Sequence, residues 1–178
     1  RLTPRGDFHL GPRAMPGGGP DSTLAFCWFE AGESGVDLML SESRSHGGRR
    51  IRRLLHGGQS PVFESFHLFQ NRPAVSATGK IAVTAKNGGR DALTVLDPAT
   101  GRRLRSIQVP TLVTMHDPAW MPGDSAIVFS GQDYSGRTDL YRARWPGGRT
   151  LLERLTRDDF DDLEPDVSAD GRWVVFAS

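Results

Sequence analysis

Apolar residues along this chain occur in short runs, and polar, glycine-rich or proline-rich segments separate the runs. The runs are rich in β-branched and aromatic residues, which is typical of strands. No segment combines a long helical period with capping residues, so we predict no long helix. The predicted strands are 7–10, 24–29, 36–40, 51–55, 74–76, 80–85, 92–96, 103–107, 119–120, 126–130, 139–144, 151–155, 166–168 and 173–177.

One unit recurs along the chain and consists of a proline, a short strand, a tight turn and a second strand. Its best-preserved copy is 165–176, and other copies occupy 118–129 and 73–83, with a degraded copy at 19–26. We predict that Asp170 and Gly171 form a two-residue hairpin turn, because glycine accepts the positive φ that such a turn requires. The residues that follow, 173–176, are predicted to form a buried strand.

The spacing of the copies predicts a β-propeller. Their prolines are about 45 residues apart, and four short antiparallel strands in that length are typical of a propeller blade. We predict an all-β fold with about three complete four-stranded blades and partial flanking blades. Trp120, Ile127, Phe129, Val174 and Phe176 are expected to pack adjacent blades together. The approximate repeats are 4–55, 56–107, 108–156 and the incomplete 157–178.

The first residues repeat a segment found near the other end of the chain. Arg1-Leu2-Thr3 reappears as Arg154-Leu155-Thr156, immediately before the last repeat. We therefore expect the chain to be a piece of a longer protein, with further blades or a catalytic domain elsewhere in that protein. A small ring closed by residues 1–3 beside 173–177 is the alternative.

Charge and composition exclude several classes of function. A net charge of +1 gives no field that would attract nucleic acid or a membrane surface. No apolar run reaches the ~20 residues of a membrane span, and the chain begins without the apolar region of a signal peptide. We expect no nucleic-acid partner and no membrane insertion. Cys27 is the single cysteine, and we predict that it is a buried apolar residue.

The sequence contains no recognisable catalytic motif. Its five histidines never form His-Glu-x-x-His, residues 32–35 are one residue short of a Gly-x-Ser-x-Gly elbow, and there is no phosphate-binding loop. His116 and Asp117 could form a catalytic pair, but their position at the entry to an inner strand favours packing or backbone hydrogen bonding. We predict no catalytic, cofactor-binding or metal-binding residue and no cofactor, and we expect that this chain is not an enzyme.

Two other segments have alternative interpretations. The acidic residues 158–164 suit a hard cation such as Ca²⁺, but they lack the order of an EF-hand loop, so a solvated loop between two blades is favoured. Phe63, Phe66 and Phe69 recur at every third position in the non-repetitive stretch 57–72. We expect a short helical turn that packs on the blades there, and the alternative is an exposed aromatic patch for a partner.

The repeating unit resembles the WD-like repeat of TolB-type β-propellers. The matching residues are 165–176, Asp139-Leu140-Tyr141 and Arg154-Leu155-Thr156, and the resemblance extends over nearly the whole chain. Ala77 and Met121 depart from it, because they break the usual Ser-Pro step. The segments 60–65 and 89–93 are similar to propellers that accompany a metallopeptidase domain in bacterial envelope proteins.

The resemblance implies that this chain does not itself catalyse a reaction. We expect a non-catalytic binding or scaffold module of a larger bacterial protein, located in the periplasm or cell envelope, that docks a protein, a peptide or another ligand. The alternative is a substrate-gating propeller of a multidomain peptidase, either a zinc metallopeptidase or a prolyl-oligopeptidase-like serine peptidase, whose catalytic domain lies outside this chain. A glycan-binding or lyase propeller is a third, weaker possibility.

Overall fold

Strands dominate the computed structural model, which describes residues 8–16, 25–32, 35–43, 48–58, 66, 72–146 and 152–178. These residues form fourteen strands and one short 3₁₀ turn, Pro122–Asp124. No helix among them is long and apolar enough to cross a membrane. The strands are β1 (Phe8–Ala14), β2 (Phe26–Gly32), β3 (Gly35–Ser43), β4 (Arg49–His56), β5 (Ala74–Val75), β6 (Ile81–Asn87), β7 (Arg90–Leu96), β8 (Arg103–Ile107), β9 (Leu112–Trp120), β10 (Ala126–Asp133), β11 (Thr138–Arg144), β12 (Leu152–Arg154), β13 (Leu163–Val167) and β14 (Val174–Ala177).

The strands form sheets in chain order, as blades of a propeller do. Three sheets have four strands each, in the orders β1-β2-β3-β4, β5-β6-β7-β8 and β9-β10-β11-β12, and β13 pairs with β14 alone. Every pairing is antiparallel. The predicted all-β fold of four-stranded blades is therefore confirmed.

Apolar side chains from facing sheets form the core. Between the first and second sheets, Cys27 and Phe29 pack with Ile81 and Val83. Burial raises the pKa of the Cys27 thiol to about 12, so this cysteine is the inert core residue that was predicted. Between the second and third sheets, the predicted packing residues Ile127 and Phe129 are fully buried, and Trp120 is partly buried beside them.

The last hairpin differs from its prediction. Gly171 has φ +70°, as a hairpin glycine should. Its N–H donates to Ser168 O at 2.9 Å and closes a four-residue turn, and Ser168 N–H donates to Trp173 O outside that turn. The loop therefore needs more residues than the predicted two. Trp173 and Val175 are exposed and Phe176 is partly so, which contradicts a buried strand. Among the described residues only the third sheet packs against this hairpin, so side chains on its other face stay in solvent.

The first sheet contains a repeat proline that the sequence analysis did not identify. The predicted copy at 19–26 falls largely outside the described residues, whereas Pro12 of β1 occupies the position of the repeat proline in the innermost strand. Phe63 and Phe69 lie outside the described residues too. Phe66 is buried, and its ring centroid is 4.9 Å from that of Phe29, as expected for packing on the blades.

Candidate functional site

An Xaa-Pro step occurs at the same place in each sheet, either within the innermost strand or directly before it. The steps are Gly11-Pro12, Arg72-Pro73, Asp117-Pro118 and Glu164-Pro165. In β1, β9 and β13 the step is an irregularity in the pairing, where two residues lie opposite one residue of the second strand. Such bulges accommodate a proline, which has no N–H for the ladder, and redirect the neighbouring side chain.

The residue before the proline has a left-handed backbone at three of these steps. The φ angles are +56° for Gly11, +47° for Asp117 and +53° for Glu164. For a residue with a Cβ this conformation costs roughly 1–2 kcal/mol, and such strain is often found at ligand sites. The strain therefore marks Asp117 and Glu164 as candidates for a functional role.

An ion-pair network joins these positions across three sheets. Arg72 Nε lies 3.5 Å from Asp117 Oδ1, and Arg72 Nη2 lies 3.3 Å from Glu164 Oε2. Burial raises the pKa of the Asp117 carboxyl, and the Arg72 guanidinium opposes this shift only in part. Glu164 is 64% exposed, so its charge is available to a ligand.

A cavity of about 200 Å³ lies where the four innermost strands converge. Arg13 of β1 and Asp166 of β13 lie on its wall, with Ala74 and Ala119 of the two sheets between them. Arg13 is paired with Cys27 in the β1–β2 ladder, and its positive charge acts on the Asp117 carboxyl, where it opposes the rise in pKa that burial causes. Asp166 Oδ1 accepts a hydrogen bond from Val167 N–H at 2.9 Å. The site is thus polar and charged, and its walls come from consecutive blades.

Comparisons with known proteins agree with this architecture. A protein TolB homolog from Chlorobium chlorochromatii is 34% identical over 108 residues, which is 60% of this chain and 23% of the relative. The crystal structure of TolB from Acinetobacter baumannii matches 96% of this chain with a TM-score of 0.67 and 19% identity. The chain has a TolB-like β-propeller fold.

Other comparisons limit what that similarity means. A chain from a structural and mechanistic analysis of two prolyl endopeptidases also matches 96% of this propeller chain, with a TM-score of 0.59 and 17% identity. No protein-family model matches. The TolB-like chain spans 23% of the curated relative and 37% and 26% of the two solved chains.

A second feature of the TolB-like propeller joins the turns of neighbouring blades. Asp124, in the turn between β9 and β10, is buried and has φ +53°. Its carboxylate accepts hydrogen bonds from Ser76 Oγ at 2.9 Å, from Ala77 N–H at 3.0 Å and from Thr78 Oγ1, and it pairs with Lys80 Nζ at 3.0 Å. We call this cluster the inter-blade latch. It fixes the turn of the second blade to the turn of the third.

The candidate pair His116–Asp117 is not assembled as a catalytic dyad. Asp117 pairs with Arg72, and His116 lies directly across from Ser130 in the β9–β10 ladder. The sequence analysis considered Asp117 only beside His116, with packing or backbone hydrogen bonding favoured there, and it did not single out Arg13, Arg72 and Glu164. The signal that could have found them is the charged residue immediately before or after each repeat proline.

The acidic segment 158–164 lies mostly in solvent, as the favoured interpretation predicted. Asp159 pairs with Arg137 at 2.9 Å, and Asp161 Oδ1 accepts a hydrogen bond from Thr138 N–H at 3.0 Å. No group of three or more His, Cys, Asp or Glu side chains among the described residues has an arrangement that would hold a metal ion. Asp162 is the exception to the exposure of this segment, because it is fully buried.

Proposed function

We propose that this TolB-like propeller is a non-catalytic docking module that binds a protein or peptide at its axial cavity. The observation that carries the proposal is the charge at and beside that cavity. Arg13 and Asp166 line it, and the ion-paired Asp117 and Glu164 directly precede Pro118 and Pro165 on its wall. Glu164 is an exposed charge on a strained backbone, and Arg13 and Asp166 are charged groups on the cavity wall. A partner with complementary charges would account for them.

The similarity to TolB proteins supports the rest of the proposal. We place the protein in the periplasm or cell envelope of a bacterium, as part of a larger chain, with repeats divided near 4–55, 56–107, 108–156 and 157–178. Partner specificity then depends on side chains at the axis, while the sheets serve as a rigid scaffold for them.

Site-specific crosslinking in bacterial cells tests this function. A photo-crosslinking amino acid replaces Asp166 on the cavity wall, and a matched control variant carries it at Arg103 on the exposed outer strand β8. We expect a discrete crosslinked protein from position 166 and none from position 103. Equal crosslinking from both positions, or none from either, would contradict docking at the axis.

A substrate-gating propeller of a peptidase is the second candidate. The likeness to a chain from work on prolyl endopeptidases favours it, although at 17% identity that likeness supports a shared fold only. A peptidase assay of the full-length protein distinguishes the two candidates. If it hydrolyses a peptide library, and a serine-reactive inhibitor or a metal chelator abolishes that hydrolysis, the protein is a peptidase. If it hydrolyses no peptide, the docking module remains the proposed function.

A further inference from the structure

Buried polar atoms without a hydrogen-bond partner among the described residues occur at the junction between the third sheet and β13. Ser130 and Asp162 are both fully buried. The Ser130 hydroxyl and both carboxylate oxygens of Asp162 have no hydrogen-bond partner among the described residues. Buried polar groups in proteins are nearly always hydrogen-bonded, so each such atom needs an explanation, and a bound ion is one of the usual ones.

Backbone pairing brings these two residues to the same interface. Asp162 N–H donates to Thr138 O at 2.9 Å, which fixes Asp162 beside the start of β11. Thr138 lies opposite Gln132 in the β10–β11 ladder, and Ser130 lies two residues from Gln132 on β10. Because side chains two residues apart in a strand share a face, Ser130, Gln132 and Thr138 lie on one side of the sheet.

The preceding blade shows that packing does not require a carboxylate at this position. Met115 stands three residues before the repeat proline Pro118, as Asp162 stands three residues before Pro165. Met115 is buried in the apolar core between the second and third sheets. A charged side chain in place of this apolar one is costly unless an opposite charge compensates it.

The surrounding charges favour a cation. Asp158, Asp159 and Asp161 precede Asp162, and the basic neighbours are Arg157 and Arg137, of which Arg137 pairs with Asp159. Carboxylate and hydroxyl oxygens are ligands of hard divalent ions, and Ca²⁺ also accepts backbone carbonyls and water to complete six to eight positions.

We propose that Asp162 and Ser130 bind a hard divalent cation, with Ca²⁺ as the best fit, at the junction of the third and fourth blades. Asp162 supplies two oxygens and Ser130 one, and the adjacent Asp161 adds negative charge. His116 lies across from Ser130, so Zn²⁺ is the informative comparison ion. The proposal is independent of docking at the axis, because it concerns the interface between blades.

Thermal unfolding of the chelator-treated protein, with and without CaCl₂, tests the site. At free Ca²⁺ about ten times the dissociation constant, we expect the melting temperature to rise by roughly 3–6 °C. Asp162→Asn should abolish the rise, Ser130→Ala should weaken it, and the control Asp166→Asn, on exposed β13, should retain it. Terbium luminescence on the same variants gives a second readout that does not depend on stability.

Three outcomes would overturn the proposal. The first is no response of the unaltered protein to Ca²⁺, and the second is an equal response in Asp162→Asn. The third is a response to Zn²⁺ alone, which would assign the ion to the imidazole of His116 rather than to a hard oxygen site.

Discussion

Two aspartates show how position decides the effect of one side chain on stability. Asp117 is buried at the axis, where desolvation outweighs the help of Arg72 and raises its pKa. Asp124 is buried in the inter-blade latch, where desolvation opposes ionisation but the hydrogen bonds from Thr78, Lys80 and Ser76 outweigh it and lower its pKa. The two carboxyls therefore make the protein respond to pH in opposite directions.

Asp117→Asn should raise the free energy of unfolding at neutral pH by about 1 kcal/mol. A carboxyl whose pKa is raised by folding disfavours the folded state once pH exceeds its unfolded pKa, and the amide removes that penalty. Asparagine also tolerates the left-handed backbone at this position. Urea unfolding of both proteins across acidic to neutral pH measures the difference. A variant that is less stable at every pH would show that the Arg72 ion pair outweighs the desolvation.

The turn between β9 and β10 shows how the order of two residues lets a turn bind the neighbouring blade. This turn contains Gly123-Asp124, whereas the last hairpin contains Asp170-Gly171 in the reverse order. Asp170 bonds within its own turn, to Ser168 Oγ at 2.6 Å and Arg172 N–H at 3.0 Å. The reversed order places Asp124 where it reaches the neighbouring blade instead.

Exchanging the two residues, Gly123→Asp with Asp124→Gly, should therefore cost about 2–3 kcal/mol of stability by removing the latch. The loss should disappear at low pH, because a lowered carboxyl pKa stabilises the fold above the unfolded pKa and ceases to do so as pH falls through the folded one. Chemical denaturation at neutral and acidic pH checks both points. The comparison variant is Asp170→Asn, whose carboxylate bonds only within its own exposed turn. These bonds also lower the Asp170 pKa, so we expect a pH-dependent loss of the same sign but smaller size.

Sequence patterns predicted most elements but not their long-range partners. The alternation of apolar runs and turn residues located β6, β7, β8 and β10 closely, because local propensity and burial agree there. It did not identify Pro12 of β1 as a repeat proline, because Pro12 lies farther from the strand that follows it than the other repeat prolines do. The latch and the axial ion pairs join residues more than forty positions apart, and no local pattern encodes such contacts.

At the scale of the whole molecule, the sheets differ in how well their apolar faces are covered. Phe129 in the third sheet is fully buried between neighbours, whereas Val175 of β14 is 70% exposed and Trp173, directly before β14, is 67% exposed. An apolar strand with an unpaired edge is a template for association with another chain.

The 178-residue chain should therefore self-associate through β14. Val175→Lys should reduce the association without lowering stability, since the side chain already faces solvent and lysine at an edge disfavours pairing. Light scattering during size-exclusion chromatography, over a range of protein concentrations, measures the effect. Tyr134→Lys, at an exposed position in another blade, is the control and should leave association unchanged. A monomeric unaltered chain would contradict the prediction.

The proline bulges also bear on how such a protein can change over evolutionary time. Gly11, Arg72, Asp117 and Glu164 are chemically different residues at one repeated position, and each blade keeps its sheet regardless of which one it carries. A mutation there alters the charge near the axial cavity while leaving the apolar interior of the blade untouched. If the axial cavity docks a partner as proposed, selection can change the preferred partner in single steps, without first having to rescue the fold.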